Sequence, residues 1–459
     1  MQSVKTLGGL SFGYIFDPEV IEQAIALRPD IVVAQGTSSD SGPAYYGTGK
    51  PHFARENIFR GLESLIVTAR KLNIPFVMSL GSAGTDRQLD YVLGIVDDIV
   101  EKNNLNFKAA VISGEVDKSY LRDKLRSGVD IPRLVKSPAL SPNLTLQDID
   151  SAVAVVGQMG PEPVIEALKS DVDGVFTGRA LDSGLFMALP MINGIDKGLA
   201  AHFGMVMACG AMAAVPGGID LLHGEIDKEG FLVLPPNPAR QCTPMSLAAH
   251  TLYEQPDAGI EYLPGGILDT TQARYTQQLR GTRVTGSRWQ TNDPYTVKLE
   301  AAVSRGFRTI CLAGVRDPNL LACLEFVLEK IRASVEKQIG KPEEVGYQLQ
   351  FRVYGRDAVM GSWERSARID GHEVGLVIDV IAGTQEKANY VCSMARGDLH
   401  MNDYPGRKST AGNVALAFSP SEVEMGETFG FHIWHLLPLD NPSEPFRTTV
   451  RQFNGRSKA

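Results

Sequence analysis

Residues 176–190, FTGRALDSGLFMALP, end an apolar run and then present Arg179, Asp182 and Ser183 before apolarity resumes. A strand-to-helix turn needs a glycine such as Gly178, but it has no need of an arginine. Backbone N–H groups at such a turn point beyond the strand end and favour an anion. A guanidinium adds a fork that matches a carboxylate or phosphate. Arg179 is therefore a candidate anchor and Asp182 a candidate proton-transfer group, with Gly178 and Ser183 as binding neighbours. The competing account is structural: Asp182 or Ser183 caps the next helix, and Arg179 pairs with Asp182 at the surface.

Other stretches carry similar chemistry. GTSSDSGPAYYGTGKPHF, from Gly36, crowds Thr37, Ser38, Ser39, Asp40, Tyr45 and Tyr46 into a segment long for a simple connection, which points to binding rather than a solvated loop. In AAHFGMVMACGA, His202 and Cys209 are seven residues apart and fall on one helical face. A thiol beside an imidazole serves as a nucleophile or acid, whereas a buried inert thiol is the plainer outcome. ARGDLH brings Arg396, Asp398 and His400 together, with Arg407 beyond. An Asp–His contact there would tune a proton-transfer group, and helix-end capping with weak surface pairs is the alternative. Asp398, His400 and Asp403 also form a candidate set for a divalent metal. His432 and His435 lie three apart in a strand and point to opposite faces, a poor arrangement for one zinc.

The elements that must position these residues alternate along the first half. RPDIVVAQG, IPFVMSLGSAG, FKAAVISGEV, SAVAVVGQMG and VDGVFTGR read as buried strands, and amphipathic segments such as FARENIFRGLESLIVTARKL separate them. Each strand ends in small or polar residues (GTSSDSG, GSAG, SGE, GQMG and TGR), so these turns should gather at the carboxyl edge of a parallel sheet, where ligands bind. After about residue 255 the pattern turns to antiparallel strands and long helices, with Asp317 and Pro318 opening one helix. The expected fold is α/β: a parallel-sheet, Rossmann-like domain over residues 1–255 and a smaller α+β domain over 256–450, for which a ferredoxin-like arrangement is the candidate. The tail 451–459 is expected to be disordered.

Composition narrows the function. The chain has 459 residues and a formal net charge of −8, with no basic cluster to neutralise phosphates, so no nucleic-acid partner is expected. The five cysteines are spread singly without CxxC spacing, which fits a reducing cytoplasm rather than a disulfide or thiolate-zinc framework. The N-terminal residues lack a secretory apolar run, and FGMVMACGAMAAVPGGI is too short and too interrupted to span a membrane. It should be a buried helix with a glycine-rich exit. GGLSFG fails as a dinucleotide fingerprint, and YYGTGKP lacks both the first glycine and the hydroxyl of a phosphate loop.

Several blocks in order resemble the acyclic terpene utilisation protein A (AtuA) family, in its shorter form: TSSDSGPAYYGTG, SLGSAGTD, VVGQMGPEPVIEAL, FTGRALDSGLFMALP, HFGMVMACGA, TICLAGVRDPNLL, VYGRDAVMG, GLVIDVIAGTQEKAN and GRKSTAGNVALAFSPSE. The resemblance implies a part in the breakdown of branched acids and acyclic terpenes, often as CoA thioesters, and an oligomer with a small companion protein. GRALDS falls on the family's GR–x–x–DS pattern, which favours function for Arg179 and Asp182. The expected activity is a cofactor-independent lyase of the hydratase or dehydratase type, acting on a small carboxylate or its CoA thioester. Arg179, Asp182, His400 and Cys209 are its catalytic candidates. Thr37, Ser38, Ser39, Asp40, Tyr45, Tyr46, Gly178, Ser183, His202, Arg316, Arg396 and Arg407 are its substrate-binding candidates. A divalent-metal enzyme and a non-catalytic scaffold subunit are the rivals.

Overall fold

A computed structural model describes residues 3–455 except 12, 137, 139, 254–256, 367 and 410–412. The chain is mixed α/β, with a large mixed sheet and smaller ones. In the ten-stranded sheet, strands Val4–Leu10, Ile31–Gln35, Phe76–Ser79, Gly174–Thr177 and Asn106–Ile112 lie side by side in that order and are parallel. Antiparallel strands extend both margins.

The apolar runs form a sheet because both its faces are covered. Ile31, Val33, Val77 and Val175 pack into one core cluster, and Val32, Ala34, Phe76, Met78 and Phe176 into another. Side chains alternate across a strand, so a run apolar at every position must be buried on both sides. The helix Arg55–Leu72 buries Ile58, Leu62, Leu65, Ile66 and Ala69, the stripe its spacing predicts, and ends at Asn73 in the left-handed region.

Three expectations need correction. The segment containing GQMG does not add a parallel strand: Val156–Gly157 pairs antiparallel with Leu299 and Glu300 instead. The expected disordered tail contains much of a strand, Thr448–Asn454, which pairs along its length with Asn106–Ile112. Phe453 is 1% exposed and stacks on Phe107 at 4.9 Å, an apolar anchor within an otherwise polar terminus. Residues 456–459 of that tail lie outside the described residues. The third correction concerns the division of the chain.

The compact units are residues 1–302 with 431–459, and residues 303–430, rather than a division at 255. The hairpin Arg274–Gln278/Gly281–Thr285 is antiparallel, as expected, but it extends the large sheet and so belongs to the first unit. Within the second unit, Tyr347–Tyr354, Val374–Ala382, residues 303–315 and Val414–Leu416 follow one another across an antiparallel sheet. Helices Leu324–Ile339 and Gln385–Met401 pack into its core. Asp317 accepts a hydrogen bond from the Asn319 amide and opens the helix Pro318–Ala322, which breaks at Cys323 before Leu324. Among the described residues, no helix is long and apolar enough to cross a membrane.

Candidate functional site

The turns leaving the parallel strands meet, as their composition predicts. Ser38 N donates to Ser82 O at 2.8 Å, Gly178 N to Ile112 O at 2.9 Å, and Arg179 N to Gly84 O at 3.1 Å. The approach is close enough to require glycine: a Cβ at Gly84 would lie 2.2 Å from Arg179 N, and one at Gly114 would lie 2.1 Å from the same atom. GQMG reaches this edge too, because Leu181 N donates to Met159 O.

Above this floor is a cavity of about 370 Å³. Ser38, Ser39, Asp40, Arg179, Asp182, Ser183 and Cys209 line it, all expected from the sequence. Gln158, His250, Glu261, Tyr262 and Lys298 also line it and were not foreseen.

Arg179 faces inward. It is 2% exposed, and its Nε donates to Glu300 Oε2 at 2.9 Å. One terminal nitrogen donates to Ala180 O at 2.6 Å, Asp182 Oδ1 at 3.1 Å and Thr37 O at 3.2 Å. Pairing with Asp182 is therefore real, but it occurs beneath the cavity rather than at the surface. The helix Asp182–Ile192 begins after Leu181 without a side-chain cap, so the capping account fails.

Glu300 lies 121 residues from Arg179 and is the buried centre of the site. Tyr46 donates to its Oε2 at 2.6 Å, and Lys298 pairs with its Oε1 at 2.9 Å. Lys298 also lies 4.6 Å from the Trp434 ring centroid, a cation–π contact that steadies the ammonium. Burial would raise the Glu300 carboxyl, yet Arg179 and Lys298 beside it hold it down to about 2. Burial and the Glu300 charge push the Tyr46 phenol well up, so it stays a neutral donor.

Asp182 behaves in the opposite way. Burial pushes its carboxyl up to about 6, against the attraction of Arg179 and with help from Glu300 and Asp40. Its side chain keeps 37% of its exposure and opens into the cavity. A carboxyl poised near neutrality, in a cavity that a paired ammonium also lines, suits proton transfer.

The remaining candidates lie elsewhere. Tyr45 stacks on His52 at 4.9 Å, and Thr37 contributes its carbonyl rather than its side chain. His202 is fully buried behind the wall, bound to Ser287 at 2.7 Å and Thr251 at 3.0 Å. Burial drives its imidazole down to about 3, a neutral core histidine rather than a binding group. His400, Arg316, Arg396 and Arg407 belong to the second unit, whereas every residue lining the cavity belongs to the first. Arg396 pairs with Glu422 at 2.9 Å and Arg316 with Glu373 at 3.5 Å, while Arg407 donates to Met401 O at 2.7 Å. Among the described residues, no group of three His, Cys, Asp or Glu side chains could hold a metal, so Asp398, His400 and Asp403 do not assemble as ligands. His432 binds Asp148 at 2.6 Å, while His435 accepts from the Trp434 amide.

Lys298 and Glu300 had a legible signal. They stand two apart in the apolar run YTVKLEAAV, so one strand face carries both charges. An isolated pair of charges in a buried strand needs partners, and Arg179 supplies the opposite charge.

The fold and cavity thus define a mixed α/β protein with a carboxylate-and-lysine cleft where its parallel strands end. The family model for the Acyclic terpene utilisation family protein AtuA matches residues 33–193 and 223–424, and the chain belongs to that family. The family's part in acyclic terpene utilisation gives the protein a catabolic role. No curated protein and no solved structure matches the chain.

Proposed function

We propose that the protein is a hydro-lyase acting on a small or branched acid, or its CoA thioester, with Asp182 as the proton-transfer group. The supporting observation is Asp182 itself, poised near neutrality and open to a cavity that also holds the Lys298 ammonium. In dehydration, the Asp182 carboxylate takes the proton from the carbon next to the carbonyl. The C–H electron pair moves toward the carbonyl oxygen, where Lys298 meets the developing negative charge. The hydroxyl on the following carbon then departs, and Asp182 returns the proton to it, so water leaves. Hydration runs the same steps in reverse.

In this reading Arg179 is no longer the direct anchor, because its side chain is 2% exposed and its nitrogens are committed to Glu300, Asp182 and backbone carbonyls, whereas Lys298, also paired with Glu300, keeps 20% of its side chain exposed. Lys298 takes that role, and the hydroxyls of Ser38, Ser39 and Ser183 with the Cys209 thiol form the surrounding wall. The chemistry is acid–base throughout and calls on no redox group. The second unit fits a ferredoxin-like arrangement, a reading supported by its β-α-β-β-α-β order and antiparallel pairing.

The test compares the unaltered protein with Asp182→Asn on a panel of hydroxy and unsaturated branched acids and their thioesters. Turnover should fall by about a hundredfold or more in the variant. Equal turnover would remove Asp182 from the chemistry. Turnover that appears only after a small companion protein is added would instead make this chain a binding subunit.

A further inference from the structure

We propose that Glu300 is a positioning residue of this cavity, a single carboxylate that holds Arg179 against Asp182 and keeps Lys298 in the wall. The inference deepens the acid–base reading and rests on it, but its main readout is independent of turnover.

The geometry gives Glu300 no other task. It is wholly buried, touches no cavity surface, and commits both oxygens to cations: Oε2 to Arg179 Nε at 2.9 Å, and Oε1 to Lys298 at 2.9 Å. Tyr46 adds a neutral donor at 2.6 Å, so the carboxylate is saturated without a further charge. Burying a carboxylate is costly unless it is paired and bonded in this way. Such a group is disfavoured in a core unless the arrangement it enforces has a use. Its backbone is fixed as well, because the Glu300 strand pairs with Val156–Gly157 directly before Gln158, a cavity residue.

Asp182 senses this arrangement from several sides. Arg179 reaches it from its own turn, Asp40 from the loop after the second parallel strand, and Glu300 with Lys298 from the strand Tyr295–Val315. Glu261, His250, Cys209 and the phenols of Tyr253 and Tyr262 complete the titratable lining. Arg179 alone would hold Asp182 ionised, and Glu300 offsets that pull. Removing the Glu300 charge leaves Arg179 uncompensated, so Asp182 should ionise at lower pH.

The experiment is a pH titration of the aspartate carboxyls by isotope-edited NMR on the full-length protein, with the Asp182 signal assigned by its loss in Asp182→Asn. In Glu300→Gln the Asp182 midpoint should fall by about one unit. The acid limb of the rate profile should follow it, and turnover should drop about tenfold to a hundredfold. A folded Glu300→Gln protein whose Asp182 midpoint is unmoved overturns the proposal, because a merely structural role would lower turnover without that shift. Should Glu300→Gln not fold, Glu300→Asp keeps the charge on a shorter stem. Because the charge is kept, it should leave the Asp182 midpoint within about a few tenths of a unit of the unaltered protein, and a midpoint that falls by about one unit overturns the proposal. A midpoint that moves in Glu300→Gln while Asp182→Asn stays active upholds the electrostatic role of Glu300 and rejects the acid–base reading.

Discussion

Residues 178–183 and 396–403 are built from similar parts, an arginine with acidic and hydroxyl or imidazole neighbours, yet they have different fates. At the first, Arg179 is 2% exposed and meets a carboxylate from 121 residues away. At the second, the Arg396 side chain is 31% exposed and pairs with Glu422, and Asp398 and His400 lie along a helix that ends before Asp403. Asp398 and His400 are two apart on that helix and so do not share a face. Residue types alone do not make a site. Convergence of distant segments and exclusion of water do, because only there does a charge need a partner.

The sharpest break in this contrast concerns turnover. Asp182→Asn should reduce it by about a hundredfold to ten-thousandfold, whereas His400→Gln should change it by less than about twofold. Steady-state rates on the same substrate decide both, and a large loss in His400→Gln would erase the distinction. Stability comes next. Arg179→Ala takes from buried Glu300 one of its two cations, leaving Lys298 and Tyr46, and should cost about 3 kcal/mol in denaturant unfolding, while Arg396→Ala should cost less than about 1 kcal/mol.

A smaller effect concerns acid. Burial holds His202 down to about 3 in the folded protein, against an ordinary value of 6.5. The unfolded chain therefore takes up that proton first as pH falls, so the contribution of His202 is present above about 6.5 and lost on the way down to about 3. Unfolding midpoints measured across that range should fall less steeply in His202→Gln than in the unaltered protein. The smallest effect is expected from Asp398→Asn and Asp403→Asn, which should leave turnover and metal content by elemental analysis unchanged. A metal lost with either would restore the second segment as a site.

The sequence carries much of the first unit openly. Runs such as IVVAQ and FVMS are apolar at every position, and the glycine-bearing turns after them mark the edge where the cavity forms. Arg179 stood out because a turn does not require it. What stayed hidden depends on pairing over long distances. Nothing local to GQMG says that Val156 and Gly157 will bond to Leu299 and Glu300, and a two-residue strand is too short to state a direction. The terminal strand was hidden for another reason: its first five residues are exposed and four of them are polar, and only Phe453 bears on the core. The residue types of ARGDLH favour His400, but residue type does not report burial.

The close crossing at Gly84, Gly114 and Gly178 bears on redesign. Even a methyl group at any of the three would strike the backbone of a neighbouring turn, so the base of the cleft tolerates no remodelling. Altered selectivity would have to come from lining residues outside these turns, such as Met205, Tyr253, Ile260 and Tyr262. A library confined to those four positions is the economical route to new substrates.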